Sequence, residues 1–315
     1  MSQTPQPASG RVTVIGSFMT DLVVRVPRRP MAGETLIGTE FGMFVGGKGN
    51  NQAIAAARCG AEVTIIGRVG DDIFAQPLFA TLADNNIASQ HVTRDPDTGT
   101  GTAMIIVDPS GQNSIVITPR ANLRLTPEHL QQARAAFIGA KVVMAQLEIS
   151  LETVLAGARL AREAGARFLL NPAPAPGEAL PAELLRLTNI ITPNEVEAAQ
   201  LTGIPTDDQD GALRAARKLL ELGPQDVILT LGARGALWVN YQHVLHIPVI
   251  PVTQVDATAA GDAFCGALAA ALALDLPMEE ALRWANAAGA LAVTHLGASP
   301  SLPTRAEVEQ LLASQ

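Results

Sequence analysis

Residues 254–264 read QVDATAAGDAF, with Asp256 and Asp262 set around five small residues. Four of these, Ala257, Ala259, Ala260 and Gly261, carry no polar side chain. A segment stripped of bulk lets a negatively charged group approach the backbone, and a carboxylate just after the glycine sets an acid or base beside it. The following GDAFCGALAAALAL predicts a helix, so Ala259, Ala260, Gly261 and Asp262 lie at its start, where free N–H groups and the positive dipole end form an anion site. Asp262 at that point suits taking a proton from a hydroxyl while the amides stabilise charge on a transferring phosphoryl group. The competing reading is an ordinary Asp N-cap, the better one for a lone GD; here a second aspartate, a glycine loop and a separate small sheet accompany it.

The same stretch divides the chain. Before it, apolar runs at 11–17, 61–69, 141–148, 166–172, 188–194 and 225–232 alternate with helix-like segments, which predicts parallel strands covered on both faces and joined by right-handed crossovers. After about residue 261 only helices are expected, at 261–274, 278–293 and 304–313. Two stretches, 18–45 and 98–120, hold strand-like runs with no helix between them, LVVRVP and TAMIIVD…NSIVITP, the latter folding over a DPSGQN turn. They read as a β lid over the C-terminal edge of the sheet, where open α/β folds bind ligands. The expected organisation is a disordered tail at 1–10, an α/β catalytic and nucleotide-binding domain at 11–17, 46–97 and 121–315, and the lid.

The 315 residues are 48% hydrophobic and 17% charged with net charge −8, which argues against a general nucleic-acid or anionic-membrane partner but not against a small phosphorylated ligand. No apolar run reaches the ~20 residues of a membrane-spanning helix, and MSQTPQPASG has neither a signal-peptide core nor an arginine-rich amphipathic pattern, so the expected compartment is cytoplasmic. Cys59 and Cys265 suit reduced buried thiols.

FVGGKGNNQAIAAARCG (44–60) is a glycine-rich turn running into an alanine-rich helix. Gly46, Gly47 and Gly49 permit positive φ and close approach. The spacing is not GxxxxGK[ST], so Lys48 is no Walker lysine. A tight turn with packing glycines explains GGKG by itself; Asn50 and Asn51 shift the reading to a polyol site, because side-chain amides bond vicinal hydroxyls as donor and acceptor.

With GSFMTDL, GETLIGTEF, GGKGNNQ, VGDD, AQLE, NPAPA, TPNEVEAAQLTG, TLGARGA, VDATAAGDAF and HLGASPS in this order, the chain resembles the ribokinase family of ATP-dependent carbohydrate kinases over almost all of residues 11–302. The resemblance implies a three-layer α/β fold with a mostly parallel central sheet and a small β-sheet lid, and a homodimer through the lids. It implies Asp262 as general base with Ala259, Ala260 and Gly261 as anion hole, and Met19, Asp21, Gly47, Lys48, Gly49, Asn50, Asn51 and Glu148 around the sugar. Asn194, Thr230, Gly232, Ala233, Gly235, Gly261 and Asn286 would border ATP. Glu197 would organise Mg2+ through water. Asp256, Thr258, Ala292, His295, Gly297 and Ser301 match the family's K+ site, His295 by its carbonyl only; the ion polarises the anion-hole loop without touching substrate.

Departures from the family pattern are specific. DTxGAGD reads DATAAGD here, GAN reads PRAN at 119–122 with Arg120 near the lid hinge, and GSxNxD reads GSFMTD with Met19 where an asparagine often sits. The expected activity is phosphorylation of D-ribose to ribose 5-phosphate, with 2-deoxyribose as the alternative. Only 3% of residues are aromatic, which disfavours a nucleoside kinase. Arg25, Arg28 and Arg29 are scattered by the strand period, which disfavours a sugar phosphate, and an intact Asp262 disfavours a sensor without catalysis.

Overall fold

Strands buried on both faces are apolar at successive positions, and β1 (Arg11–Ile15) is buried from Val12 to Ile15. It lies third from one edge of a nine-stranded sheet, paired in parallel with β4 (Glu62–Gly70) and β8 (Val142–Ala145), Val12 lying opposite both Val63 and Val142. In chain order the other strands are β2 (Met19–Arg25), β3 (Glu40–Gly46), β5 (Ala88–Asp95), β6 (Gly101–Val107), β7 (Asn113–Thr118), β9 (Arg167–Leu170), β10 (Ile190–Ile191), β11 (Asp226–Thr230), β12 (Ala236–Val239) and β13 (Val244–Ile247). The large sheet runs β13-β12-β11-β10-β9-β8-β1-β4-β5, parallel except that β12 pairs antiparallel with both β11 and β13. In this computed structural model, residues 10–315 other than 110, 176 and 178 are described. The expected tail lies outside the described residues except for Gly10, as does Ser110 of the DPSGQN turn.

The helices are α1 (Lys48–Arg58), α2 (Ala75–Asp84), α3 (Pro127–Gln132), α4 (Leu151–Glu163), α5 (Ala182–Leu187), α6 (Glu195–Thr202), α7 (Gln209–Glu221), α8 (Ala260–Ala273), α9 (Met278–Ala292) and α10 (Arg305–Ala313). One apolar core joins α1, α2, α8, α9 and α10 to one face of the sheet, and a second joins α3 to α7 to the other, which makes three layers. The helices expected after residue 261 form within a residue of their expected ends.

A separate four-stranded sheet, β3-β2-β6-β7, leaves the large one just past the C-terminal ends of β1 and β5. Both crossings are tied down. Asn122 accepts from the Phe18 N–H at 2.9 Å and returns a bond to the Phe18 carbonyl at 2.8 Å. Arg120, at φ 47°, reaches the Thr100 carbonyl, and a Cβ on Gly99 would lie 2.4 Å from its guanidinium. The PRAN departure therefore sits at the hinge, as expected.

Four strands went unread in the sequence. β5 is a half-exposed edge strand with little apolar character, β12 and β13 have four residues each, and β3 exposes Phe41, Met43 and Phe44. Of these only β12, ALWV, is apolar and buried throughout, and it is four residues long.

Candidate active site

Helix α1 starts directly under the end of β1. A Cβ on Gly49 would lie 2.4 Å from the Ser17 N, and one on Gly46 2.5 Å from the Asp21 carboxylate. Gly47 alone of the three has positive φ, at 92°. Close approach explains Gly46 and Gly49; left-handed freedom applies to Gly47 only. Helix α8 packs on α1 at backbone distance, since a Cβ on Gly266 would come 2.6 Å from the Gln52 carbonyl oxygen.

This packing delivers Asp262, 6% exposed, to the glycine loop. Its Oδ2 accepts from Asn51 Nδ2 at 3.0 Å and its Oδ1 from Gln52 Nε2 at 2.9 Å. The side chain makes no cap bond to the helix, so the ordinary N-cap reading fails. The N-cap is Ala259, in the left-handed region at φ 60°, a conformation costing an L-residue roughly 1–2 kcal/mol. The Ala260 N–H reaches back to the Ala257 carbonyl at 3.3 Å, which leaves those of Ala259 and Gly261 free of backbone partners among the described residues.

Acidic groups gather near Asp262. Glu148 Oε2 accepts from the Ser17 hydroxyl and from the Lys48 backbone N–H, the latter at 2.9 Å. Burial, then the nearby charges of Glu148 and Asp262, push the Asp21 carboxyl up to about 6. Burial works against the Lys48 ammonium, yet Asp262, Glu148 and Glu197 together raise it above its ordinary value. Met19 is 2% exposed and its sulfur lies 3.8 Å from Asn122 Nδ2, at the hinge. Asn50, expected beside the sugar, is fully buried, and its side-chain amide has no partner among the described residues.

Asp262 also lines a cavity of about 200 Å³, together with Lys48, Asn194, Glu197, Ala259 and Gly261. Through Asn194, Thr230, Ala257 and Gly261 it adjoins a larger one of about 630 Å³, whose lining includes Gly232, Ala233, Gly235, Val252 and Asn286. Asn194 and Glu197 form a reciprocal capping box at the start of α6, with bonds of 2.8 Å each way. Burial raises the Glu197 carboxyl despite the Asn194 N–H and Lys48. All of the expected nucleotide-side residues line one cavity or the other.

The expected cation loop also comes together. Val255 and Asp256 donate backbone N–H groups to the Val293 carbonyl, and Asp256 Oδ1 accepts from the Thr258 N–H and hydroxyl. Ala292 is buried, and Ser301, also buried, gives its hydroxyl to the Ala298 carbonyl. The His295 imidazole pairs with the Thr294 hydroxyl and is exposed, as its bystander reading implies. Among the described residues, no three His, Cys, Asp or Glu side chains form a metal-binding group.

Sequence reasoning missed Ser17, Gln52, Gln146, Asn171 and Ser299. Ser299 donates to Asn51 Oδ1 at 3.3 Å. Gln52 stood inside the quoted GGKGNNQ, its one signal. The scattered arginines are each drawn to a carboxylate, Arg25 to Glu40, Arg28 to Glu34 and Arg29 to Asp108. Cys59 and Cys265 are free and buried, and burial pushes both thiols up to about 12. No helix among the described residues is long and apolar enough to cross a membrane.

The profile of the pfkB family carbohydrate kinases matches residues 9–305. The chain is 42% identical over 301 residues to the ribokinase of Mus musculus, covering 94% of this chain and 93% of that one. It is 37% identical to the deoxyribokinase of Salmonella typhimurium, covering 96% and 98%. It is 42% identical to the bifunctional ribokinase/ribose-5-phosphate isomerase A of Fructilactobacillus sanfranciscensis, covering 94% of this chain but only 55% of that protein. The structure of Arabidopsis thaliana ribokinase complexed with ribose and ATP superposes with TM-score 0.91 at 32% identity, over 96% of this chain and 99% of that one.

Proposed function

This chain belongs to the pfkB family of carbohydrate kinases, and we propose that it transfers the γ-phosphoryl group of ATP to the 5-hydroxyl of D-ribose, giving ribose 5-phosphate and ADP. One observation carries the reading: Asp262, its carboxylate held by Asn51 and Gln52, lies close enough to Asp21 to raise it and also lines a cavity that runs into a nucleotide-sized one.

Asp21, Glu148 and Asn51 hold the sugar hydroxyls, with Gly47 and Gly49 letting the ring approach the backbone. Asp262 takes the proton of the 5-hydroxyl as its oxygen attacks the γ-phosphorus in line, and ADP leaves. The free N–H groups of Ala259 and Gly261 and the Lys48 ammonium face the charge on the transferring group. Asn194, Thr230, Gly232, Ala233, Gly235 and Asn286 border the nucleotide. Glu197, one carboxylate beside the phosphate cavity, fits water-mediated Mg2+, which when bound supplies charge neutralisation on the phosphates. The turns at Asp256, Thr258, Ala292, His295, Gly297 and Ser301 fit K+, which supplies a fixed charge behind the anion-hole loop. The lid exposes Phe41, Met43, Met104, Ile115 and Val116, which supports pairing of two lids in a homodimer. A cytoplasmic location fits a kinase that draws on ATP.

A second reading, 2-deoxyribose as substrate, rests on Met19. Its sulfur lies against Asn122 and offers no strong hydrogen-bonding group to the cleft. The test is ADP release from MgATP with D-ribose, 2-deoxy-D-ribose or no sugar. Release above background only with 2-deoxyribose would replace the first reading by the second, and none with either would remove both.

A further inference from the structure

Behind Asp262 lies a run of buried amides. Gln52, with no exposed surface, divides its two Nε2 hydrogens between Asp262 Oδ1 at 2.9 Å and Asn171 Oδ1 at 3.0 Å. Its Oε1 accepts from Gln146 Nε2 at 2.6 Å, and Asn171 Nδ2 donates to the Thr192 carbonyl at 2.8 Å. Gln146 is 1% exposed and Asn171 7%. The run thus joins the end of β8, two residues before Glu148, to the end of β10, two residues before Asn194, and the base sits at its crossing.

The direction of the run follows from its ends. The Asp262 carboxylate and the Thr192 carbonyl can only accept. Turning Gln52 over would set its oxygen against Asp262 and Asn171 and its NH2 against that of Gln146, replacing three attractive contacts with three repulsive ones. Gln52 therefore has one orientation while Asp262 is charged.

We propose that Gln52 is a positioning residue for phosphoryl transfer: by holding Oδ1 of Asp262 it stops the carboxylate turning about its Cβ–Cγ bond and presents Oδ2, the oxygen beside Asn51, to the sugar hydroxyl. Gln146 acts through Gln52 by donating to its Oε1 and so holding the amide, already oriented by Asp262 and Asn171, in place. The inference rests on the reading of Asp262 as general base.

Gln52→Met keeps the volume and removes the bonds. Its kcat is expected to fall by roughly tenfold to hundredfold, the scale of a misplaced reacting group, while KM for sugar and ATP stays within about twofold. Gln146→Met, which touches neither substrate nor base, should lower kcat by less, and the double variant should be no slower than Gln52→Met, because one residue acts through the other. A Gln52→Met kcat within about twofold of the parent, a change confined to KM, or a double variant equal to the product of the singles would each overturn the proposal. If circular dichroism shows Gln52→Met unfolded, Gln146→Met decides: lower kcat at constant KM supports it, unchanged kcat refutes it. The assay uses whichever sugar the parent enzyme accepts, so failure with ribose strikes the substrate reading alone. Full activity of Asp262→Asn would strike the base on which this inference stands.

Discussion

The carboxylate of Asp256 accepts a hydrogen bond from the backbone N–H of Gly297, 3.0 Å away across 41 positions of sequence. That bond hooks the segment before the anion hole to the turn after α9. Burial opposes ionisation of Asp256, but the donors on Gly297 and Thr258 outweigh it and lower its carboxyl below the usual range. A cation placed between these turns acts on the anion-hole loop from behind. Potassium chloride should activate the enzyme, and sodium and choline chlorides should do so poorly at equal ionic strength. Equal rates in all three would remove the cation site.

Asp262→Asn removes the base and should lower turnover by about 10²–10⁴. Because Asn51 and Gln52 both donate to the present carboxylate, the substituted amide must turn its own NH2 towards one of them. A loss of about 1 kcal/mol in stability should accompany the loss of rate, with ATP binding unchanged by calorimetry. More than a tenth of parental activity would refute the mechanism.

Asp21 carries its pH dependence in the unusual direction. Its folded value, about 6, lies above its usual 3.8, so the empty protein binds a proton there that the unfolded chain does not, and loses stability as pH rises through that window. Glu148 and Asp262 face it with like charge. Sugar hydroxyls donate to the ionised form, so binding should expel the proton. KM for the sugar should rise below about pH 6, and at about pH 5.5 the heat of binding should vary with the buffer's ionisation enthalpy. A buffer-independent heat would count against this account.

Met19→Asn should raise the ribose-to-deoxyribose ratio of kcat/KM by roughly tenfold, one net hydrogen bond. An unchanged ratio would mean that position 19 only packs at the hinge, where its sulfur meets Asn122.

Asn50 has two buried polar atoms without partners among the described residues. Asn50→Ala should therefore leave the thermal midpoint unchanged or higher, since removing unpaired polar groups offsets a small cavity worth about 1 kcal/mol. If Asn50 instead binds the sugar, KM rises severalfold while the midpoint falls or holds, and kinetics beside a melting curve separate the two.

The parts of the site legible in sequence are those whose physics is local. A bulk-free segment before an alanine helix reads as a helix start with free N–H groups, and Pro193 with Asn194 reads as another; the helices begin at Ala260 and Glu195. The amide run behind the base is not local. Gln52 lies 94 positions from Gln146 and 119 from Asn171, and uncharged amides leave no spacing to recognise. Ala259 was opaque for another reason: a glycine there would have signalled positive φ, and alanine adopts it silently.

Helix α8 is buried at every residue from Asp262 to Ala273, and α1 from Gly49 to Ala56. Alanine has no side-chain torsion to lose or to populate, so the floor beneath the carboxylate has almost no internal degrees of freedom. Thermal excursions of the Asp262 backbone relative to the glycine loop are then those of two main chains in contact, and the turn of the carboxylate itself is left to the amides of Asn51 and Gln52.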